Sequence, residues 1–203
     1  MARTETSGVR QRHKQERKER IYRAALQLFR QQGFEATTVE EIAAAADVAK
    51  GTFFNYFPTK EAVLLSLGEQ QMGGLRALVS LRNLDSATAI ERIKRLLRSL
   101  ADSAEEDRDL VRMMVFQALR VSDLVPSGAN RFGLRAIVAL LVTQAQRAGE
   151  VRADISADTV ASLIEAVYLH ELFLWCDSAV PYALGRRLEG LVDLLLAGVG
   201  PPG

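Results

Sequence analysis

The chain has 203 residues, with 26 Lys and Arg against 25 Asp and Glu, a length that allows one large domain or two smaller ones. Hydrophobic residues at 48% and charged residues at 25% suit a globular protein that buries its own core without staples. One cysteine excludes a disulfide framework or a multi-cysteine metal site, no apolar run approaches the ~20 residues of a membrane span, and no secretory signal is visible, so a reduced, cytoplasmic protein is expected.

In chain order, residues 1–13 read as a flexible basic arm, polar and interrupted by Gly8. From Lys14 the pattern turns helical: Ile21, Ala24, Ala25, Leu28 and Phe29 form one apolar stripe. Gly33 stops this helix, and Phe34 can fold back onto its last turn. Thr38-Val39-Glu40-Glu41 is a capping box that opens a second helix. Ile42 and Ala43–Ala46 leave that helix so little bulk that another can approach it closely. Asp47 tolerates a turn, Val48 is its buried plug, and a third helix runs from about Ala49 to Tyr56 before Pro58. Thr59-Lys60-Glu61-Ala62 opens a longer helix to about Leu81, weakened in the middle by Gly73-Gly74.

After a break at Asn83–Thr88, a helix runs to about Ala104, and the acidic Glu105–Asp109 suits the start of another. Leu110–Val121 is apolar almost all round and therefore internal. Ser122–Asn130, with Pro126 and Gly128, is a loop. Leu134–Ala148 is an apolar helix stopped by Gly149, Ser156 caps a helix to about Trp175, Asp177–Pro181 is a turn, and a last helix reaches about Val199. The expected fold is all-α, about nine helices, with a helix-turn-helix domain at 14–60 and a larger C-terminal domain at 61–203.

The charge is unevenly spread: residues 1–60 carry 11 basic and 7 acidic residues, residues 61–203 carry 15 and 18. Such asymmetry is the footprint of a nucleic-acid module on a neutral body, or of a solubilising tail and a solvated helix face. Two short helices joined by a tight turn behind a supporting helix favour the first reading. The third helix, Lys50 to Phe57, has no acid, so it can enter a groove lined with phosphates, and Lys60 is placed to meet one.

The segments Phe34–Ala43 and Val48–Glu61 together resemble the DNA-binding signature of the tetracycline-repressor-like (TetR-type) transcriptional regulators. The resemblance covers about residues 14–65. It implies an all-helical homodimer whose N-terminal domains bind a palindromic DNA operator and whose C-terminal domains dimerise and hold a small-molecule effector. It implies that Thr38, Lys60 and Tyr56 hold phosphates, that Lys50, Gly51, Thr52 and Asn55 form the exposed face of the recognition helix, and that Phe53 and Phe57 pack inward. Thr52 and Asn55 can reach base edges or phosphates. Arg10, Arg12 and Lys14 can enter a minor groove or simply attract phosphates. Ala49 stands where a capping serine is common, and Phe54 where tyrosine is common.

In the C-terminal domain, Met113, Met114, Phe116, Gln117, Phe132, Tyr168, His170, Glu171, Phe173, Trp175 and Cys176 are candidates for an apolar ligand pocket or for ordinary core. His170 and Glu171 are a candidate polar anchor, although neighbours on a helix point about 100° apart. The stripes Val160, Leu163, Ile164 and Val167, then Leu184, Leu188, Leu191, Val192 and Leu195, are either core or the four-helix dimer interface that the resemblance suggests. No phosphate loop, metal-ligand pair or nucleophile–base motif is visible, so no enzyme, cofactor or metal is expected. The expected function is a transcriptional repressor released from its operator by a ligand. A ligand-independent regulator or activator, or a helical enzyme with a DNA-targeting module, are the alternatives.

Overall fold

A computed structural model describes residues 2–68, 87–120, 133–180 and 182–198 of the chain. Among these residues there are nine helices and no strand: α1 (Ala2–Gln32), α2 (Val39–Ala45), α3 (Lys50–Phe54), α4 (60–68), α5 (Ala89–Glu106), α6 (Arg108–Arg120), α7 (Leu134–Arg147), α8 (Ala157–Asp177) and α9 (Leu184–Gly198). The all-α expectation holds. The extension of α4 to Leu81 with Gly73-Gly74, the 122–130 loop and Phe132 lie outside the described residues. The chain divides into two compact units, Met1–Leu67 and Gly68–Gly203, a division that falls inside α4.

The N-terminal stretch differs from expectation. The residues read as a flexible arm continue α1 back to Ala2. A glycine inside a helix costs only about 1 kcal/mol relative to alanine, so Gly8 does not stop a segment otherwise rich in helix-forming Glu, Gln and Arg.

The first unit is built on local signals. Gly33 takes a positive φ of 82°, and its N–H donates to Phe29 O at 3.0 Å, closing the C-terminus of α1. The Phe34 ring turns back to within 5.1 Å of Phe29. The Thr37 hydroxyl donates to Gly33 O at 2.7 Å, locking the bend. The capping box of α2 is formed in full: Glu41 N donates to Thr38 Oγ1 at 3.2 Å, and Thr38 N donates to Glu41 Oε2 at 2.8 Å.

The turn after α2 is a Schellman motif. Asp47 N donates to Ala44 O at 3.1 Å and Val48 N to Ala43 O at 2.9 Å, with Asp47 left-handed at φ 51°. Backbone closure therefore makes this turn, and Val48 is half-buried, not the buried plug that was expected. Ile42, Ala43 and Ala46 are the buried residues at the exit of α2, and α3 packs on this small-residue surface.

In the second unit, α5 starts with a second capping box, Thr88 with Glu91. The Glu150 carboxylate accepts from the next free amides, Ile90 N at 3.2 Å and Ala89 N at 3.4 Å. α5 packs on α7 and α9, and α8 on α6, α7 and α9. Ion pairs Lys94–Asp193 and Arg98–Glu189 show α5 and α9 running antiparallel. Contrary to the sequence reading, α8 is long and apolar enough by composition to cross a membrane. Its inner face, Val160, Ala161, Ile164, Leu172, Trp175 and Cys176, is buried, as in a core helix.

The left-handed Asp47 gives a direct test of the turn. Asp47→Val, which puts a β-branched side chain at positive φ, lowers stability by about 1–2 kcal/mol, while Asp47→Gly leaves it unchanged or raised. Urea unfolding followed by circular dichroism checks both.

Candidate nucleic-acid interface

α3 has five residues, and its N-cap Ala49 makes no side-chain cap bond. Burial holds it in place: Phe53 is 0% exposed and Phe57 2%, with ring centroids 5.9 Å apart. Lys18 of α1 lies over the Phe57 ring at 5.6 Å. The opposite side of α3 presents Lys50, Gly51, Phe54 and Asn55 to solvent, with Thr52 and Tyr56 half-buried. Four of the expected contact residues thus sit together: Lys50, Gly51 and Asn55 outward, and Thr52 at the margin.

Phe54, noted in the sequence only as standing where tyrosine is common, joins the outward face. It is 45% exposed, and its ring stands edge-on against Phe53 at 5.4 Å. The signal was present: two consecutive aromatics on a helix point about 100° apart, so one buried face cannot take both.

The outward face carries one ion pair, Lys50 to Glu40 of α2, with both partners exposed. The hydrogen bond from Lys50 Nζ holds the Glu40 carboxyl below its usual range. The Thr38 hydroxyl is exposed but engaged in the cap, accepting from Glu41 N and donating to Glu41 Oε2 at 2.8 Å.

Lys60 requires a correction. Its ammonium turns inward, donating to Phe34 O at 2.6 Å and Thr37 O at 2.8 Å, 4.3 Å from the centroid of the Phe34 ring. The α1–α2 bend exposes carbonyls that no helix uses, and Lys60 satisfies two of them, so two of its three N–H donors serve the fold. Arg10, Arg12 and Lys14 stand on a helix and not on an extended arm, with Arg12 and Lys14 exposed.

The C-terminal candidates separate by burial. Met114, Tyr168, Trp175 and Cys176 are buried core. Trp175 Nε1 donates to Tyr182 O at 2.9 Å, and burial pushes the Cys176 thiol up to about 11. Glu171 is buried and paired with Arg187 at 3.3 Å, with Tyr182 OH at 3.4 Å. His170 is exposed, so the two do not form one anchor. Met113, Phe116, Gln117 and Phe173 are half-buried. Phe116 and Phe173 pair across α6 and α8 at 5.7 Å, with the Arg112 guanidinium 5.7 Å from the Phe116 ring.

The expected dimer stripe also needs correction. Val160, Ile164, Leu184 and Leu188 are at most 1% exposed within one protomer; Val167, Leu191 and Leu195 are half-buried. The outward apolar residues are Leu163 and Leu174 of α8 and Leu194 of α9, at 46%, 41% and 71% exposure. Both helices carry apolar residues on two faces, so composition alone could not say which face looks inward. Among the described residues, no group of three His, Cys, Asp or Glu is placed to hold a metal.

Residues 21–67 match the family described as bacterial regulatory proteins, tetR family. Residues 88–200 match the C-terminal domain of SbtR-like transcriptional regulators. The structure is similar to that of Thermus thermophilus FadR, a TetR-family transcriptional repressor solved in complex with lauroyl-CoA. The two share 33% identity and a TM-score of 0.80, over 92% of this chain and 99% of that one. The chain is also 29% identical over 184 residues to the transcriptional repressor KstR of Rhodococcus jostii, covering 89% of this chain and 83% of KstR. It is 36% identical over 92 residues to the Bacillus subtilis regulator YerO, covering 45% of this chain and only 31% of YerO.

Lys50, at the start of α3, and Lys60, at the start of α4, are expected to behave differently. Lys60→Ala removes two charge-assisted hydrogen bonds and lowers stability by about 2 kcal/mol, whereas Lys50→Ala changes it by less than about 0.5 kcal/mol. Chemical denaturation of both variants checks this; equal stabilities would remove the structural role assigned to Lys60.

Proposed function

The chain belongs to the TetR family of bacterial transcriptional regulators, and from that premise we propose that it is a repressor. In this reading a homodimer binds a palindromic operator through α3 and leaves it when an acyl-CoA ligand binds the C-terminal unit. The observation that carries the DNA half is the exposed face of α3: Lys50, Gly51, Phe54 and Asn55, with no acid of the helix's own, on a helix fixed from behind by Phe53. The exposed Arg12, Lys14, Arg17 and Arg20 of α1 add cationic charge to the same unit. Phosphate contacts position such a helix and base-edge contacts specify the sequence; in this reading Lys50 and Tyr56 meet phosphates and Asn55 and Thr52 meet the groove floor.

A palindrome is read by two such helices one DNA turn apart, which one protomer cannot supply. The apolar residues Leu163, Leu174 and Leu194, exposed on adjacent packed helices, support α8 and α9 as the dimer face. The similarity to a lauroyl-CoA-bound repressor supports an acyl thioester as effector. Such a ligand needs an apolar wall for its chain and cations for its phosphates. Met113, Phe116 and Phe173, with Arg112 at their edge, match that demand. Release requires the ligand to favour the DNA-incompetent state; a ligand with equal affinity for both states shifts nothing.

Leu194→Glu is expected to give a folded monomer by analytical ultracentrifugation, with at least tenfold weaker operator binding. Lauroyl-CoA is expected to dissociate the wild-type dimer from a labelled operator duplex at micromolar concentration, and Phe116→Ala to need roughly tenfold more. A wild-type complex that persists in saturating lauroyl-CoA would reject the acyl-CoA assignment while leaving DNA binding intact.

A further inference from the structure

Phe54 has no role in the fold that explains its exposure. Its neighbour Phe53 already fills the buried side of α3 at 0% exposed, while the Phe54 ring is 45% exposed. Nor is the ring loose: it is braced edge-on against Phe53 at 5.4 Å and an interplanar angle of 90°. An exposed aromatic held in one orientation loses little conformational freedom on contact with a partner.

Gly51 makes the same point from the backbone. It lies three residues before Phe54 and so neighbours it on the helix surface. It sits inside a helix, where glycine is unfavourable, its φ is not positive, and a Cβ added to it would meet nothing within 4 Å. The fold therefore does not require glycine there. What a missing side chain does supply is close approach of a surface to the backbone, beside the phenyl ring.

A phenyl ring can neither donate to a phosphate nor hydrogen-bond a base edge. In the major groove the apolar group available to it is the 5-methyl of thymine, which 5-methylcytosine shares. We infer that Phe54 is a specificity residue that reads a thymine methyl in each operator half-site, with Gly51 allowing the groove floor to come close enough for that contact. This rests on the reading of α3 as the element that enters the major groove.

The test uses the full-length protein and an operator duplex selected by it from a random-sequence library of synthetic, unmethylated DNA. Each thymine is then replaced by uracil, which removes only the methyl group. Burying one methyl predicts about a three- to fivefold weaker complex for wild type when that thymine is changed in one half-site, and roughly ten- to twenty-fivefold when it is changed in both. Phe54→Ala should bind the thymine and uracil duplexes equally, and Phe54→Leu should keep part of the difference. Gly51→Ala should melt at a higher temperature yet bind the thymine duplex several-fold more weakly. Replacing cytosines by 5-methylcytosine should bring no gain.

If no duplex is enriched, the DNA-binding reading of α3 fails and the inference with it. If duplexes are enriched but uracil has no effect at any position, or Phe54→Ala keeps the full uracil penalty, the inference alone is overturned. A gain from 5-methylcytosine in place of the uracil penalty would overturn the thymine assignment. Unweakened binding by Gly51→Ala would overturn the close approach.

Discussion

A helix of five residues cannot sustain itself. Nucleation is unfavourable, and isolated helices need more than about 12 residues to persist in water. α3 lacks even a side-chain cap. Its existence therefore depends on the burial of Phe53, extended by Phe57 just beyond the helix. Burying a phenylalanine side chain contributes about 1.5–3 kcal/mol, enough to offset a weak nucleus once α2 offers a surface to meet. The alanines of α2 offer that surface: Ala43 and Ala46 are buried and small. The exposed face of α3 is a consequence of that anchor, because fixing Phe53 inward fixes the direction of Lys50, Gly51, Phe54 and Asn55.

The same economy governs the joint between α2 and its neighbours. The bend after α1 is closed by Gly33 and the Thr37 hydroxyl, and its remaining carbonyls, Phe34 O and Thr37 O, are taken by Lys60. A lysine at the start of α4 thus holds the loop that positions the capping box of α2. The middle and the C-terminal part of the first unit, more than 20 residues apart in sequence, are tied at one point. A carbonyl pair facing an ammonium is a charge-assisted contact, stronger than a neutral one, and it fixes where α4 begins relative to the helix-turn-helix within that unit.

Much of this was legible in the sequence because it is local. The capping box at Thr38 and the cap at Ser156 are spacing rules, and Gly33 and Asp47 are backbone rules; each formed where the sequence places it. The motif around α3 was legible for the same reason. What failed was non-local. Lys60 looked like a surface cation because its acceptors lie more than 20 residues away. α8 and α9 each have two apolar faces, and only packing against α5 and α7 decides that Val160, Ile164, Leu184 and Leu188 look inward while Leu163 and Leu194 look out. His170 and Glu171, by contrast, part as the 100° between helix neighbours expects, one exposed and one buried. The α1 start was missed because Gly8 was given more weight than one residue in a long helix carries.

The division of charge gives the molecule a direction. In the second unit several cations are engaged by acids: Lys94 with Asp193, Arg98 with Glu189, Arg135 with Asp158, Arg152 with Asp154 and Arg187 with Glu171. In the first unit Arg12, Lys14, Arg17 and Arg20 lie exposed along α1. A polyanion therefore meets an attractive field on the first unit and a largely neutralised set of cations on the second, which orients the encounter even though the whole chain is nearly uncharged. The Glu40–Lys50 pair fits this arrangement. Exposed ion pairs contribute little in water, so the exchange of the Glu40 carboxylate for a phosphate that the proposed role of Lys50 requires sacrifices almost no stability. Meanwhile the pair keeps Lys50 from carrying an uncompensated charge beside Phe54 when no DNA is bound. Net charge alone would have hidden all of this, because attraction to a polyanion depends on where the charges stand and what already neutralises them.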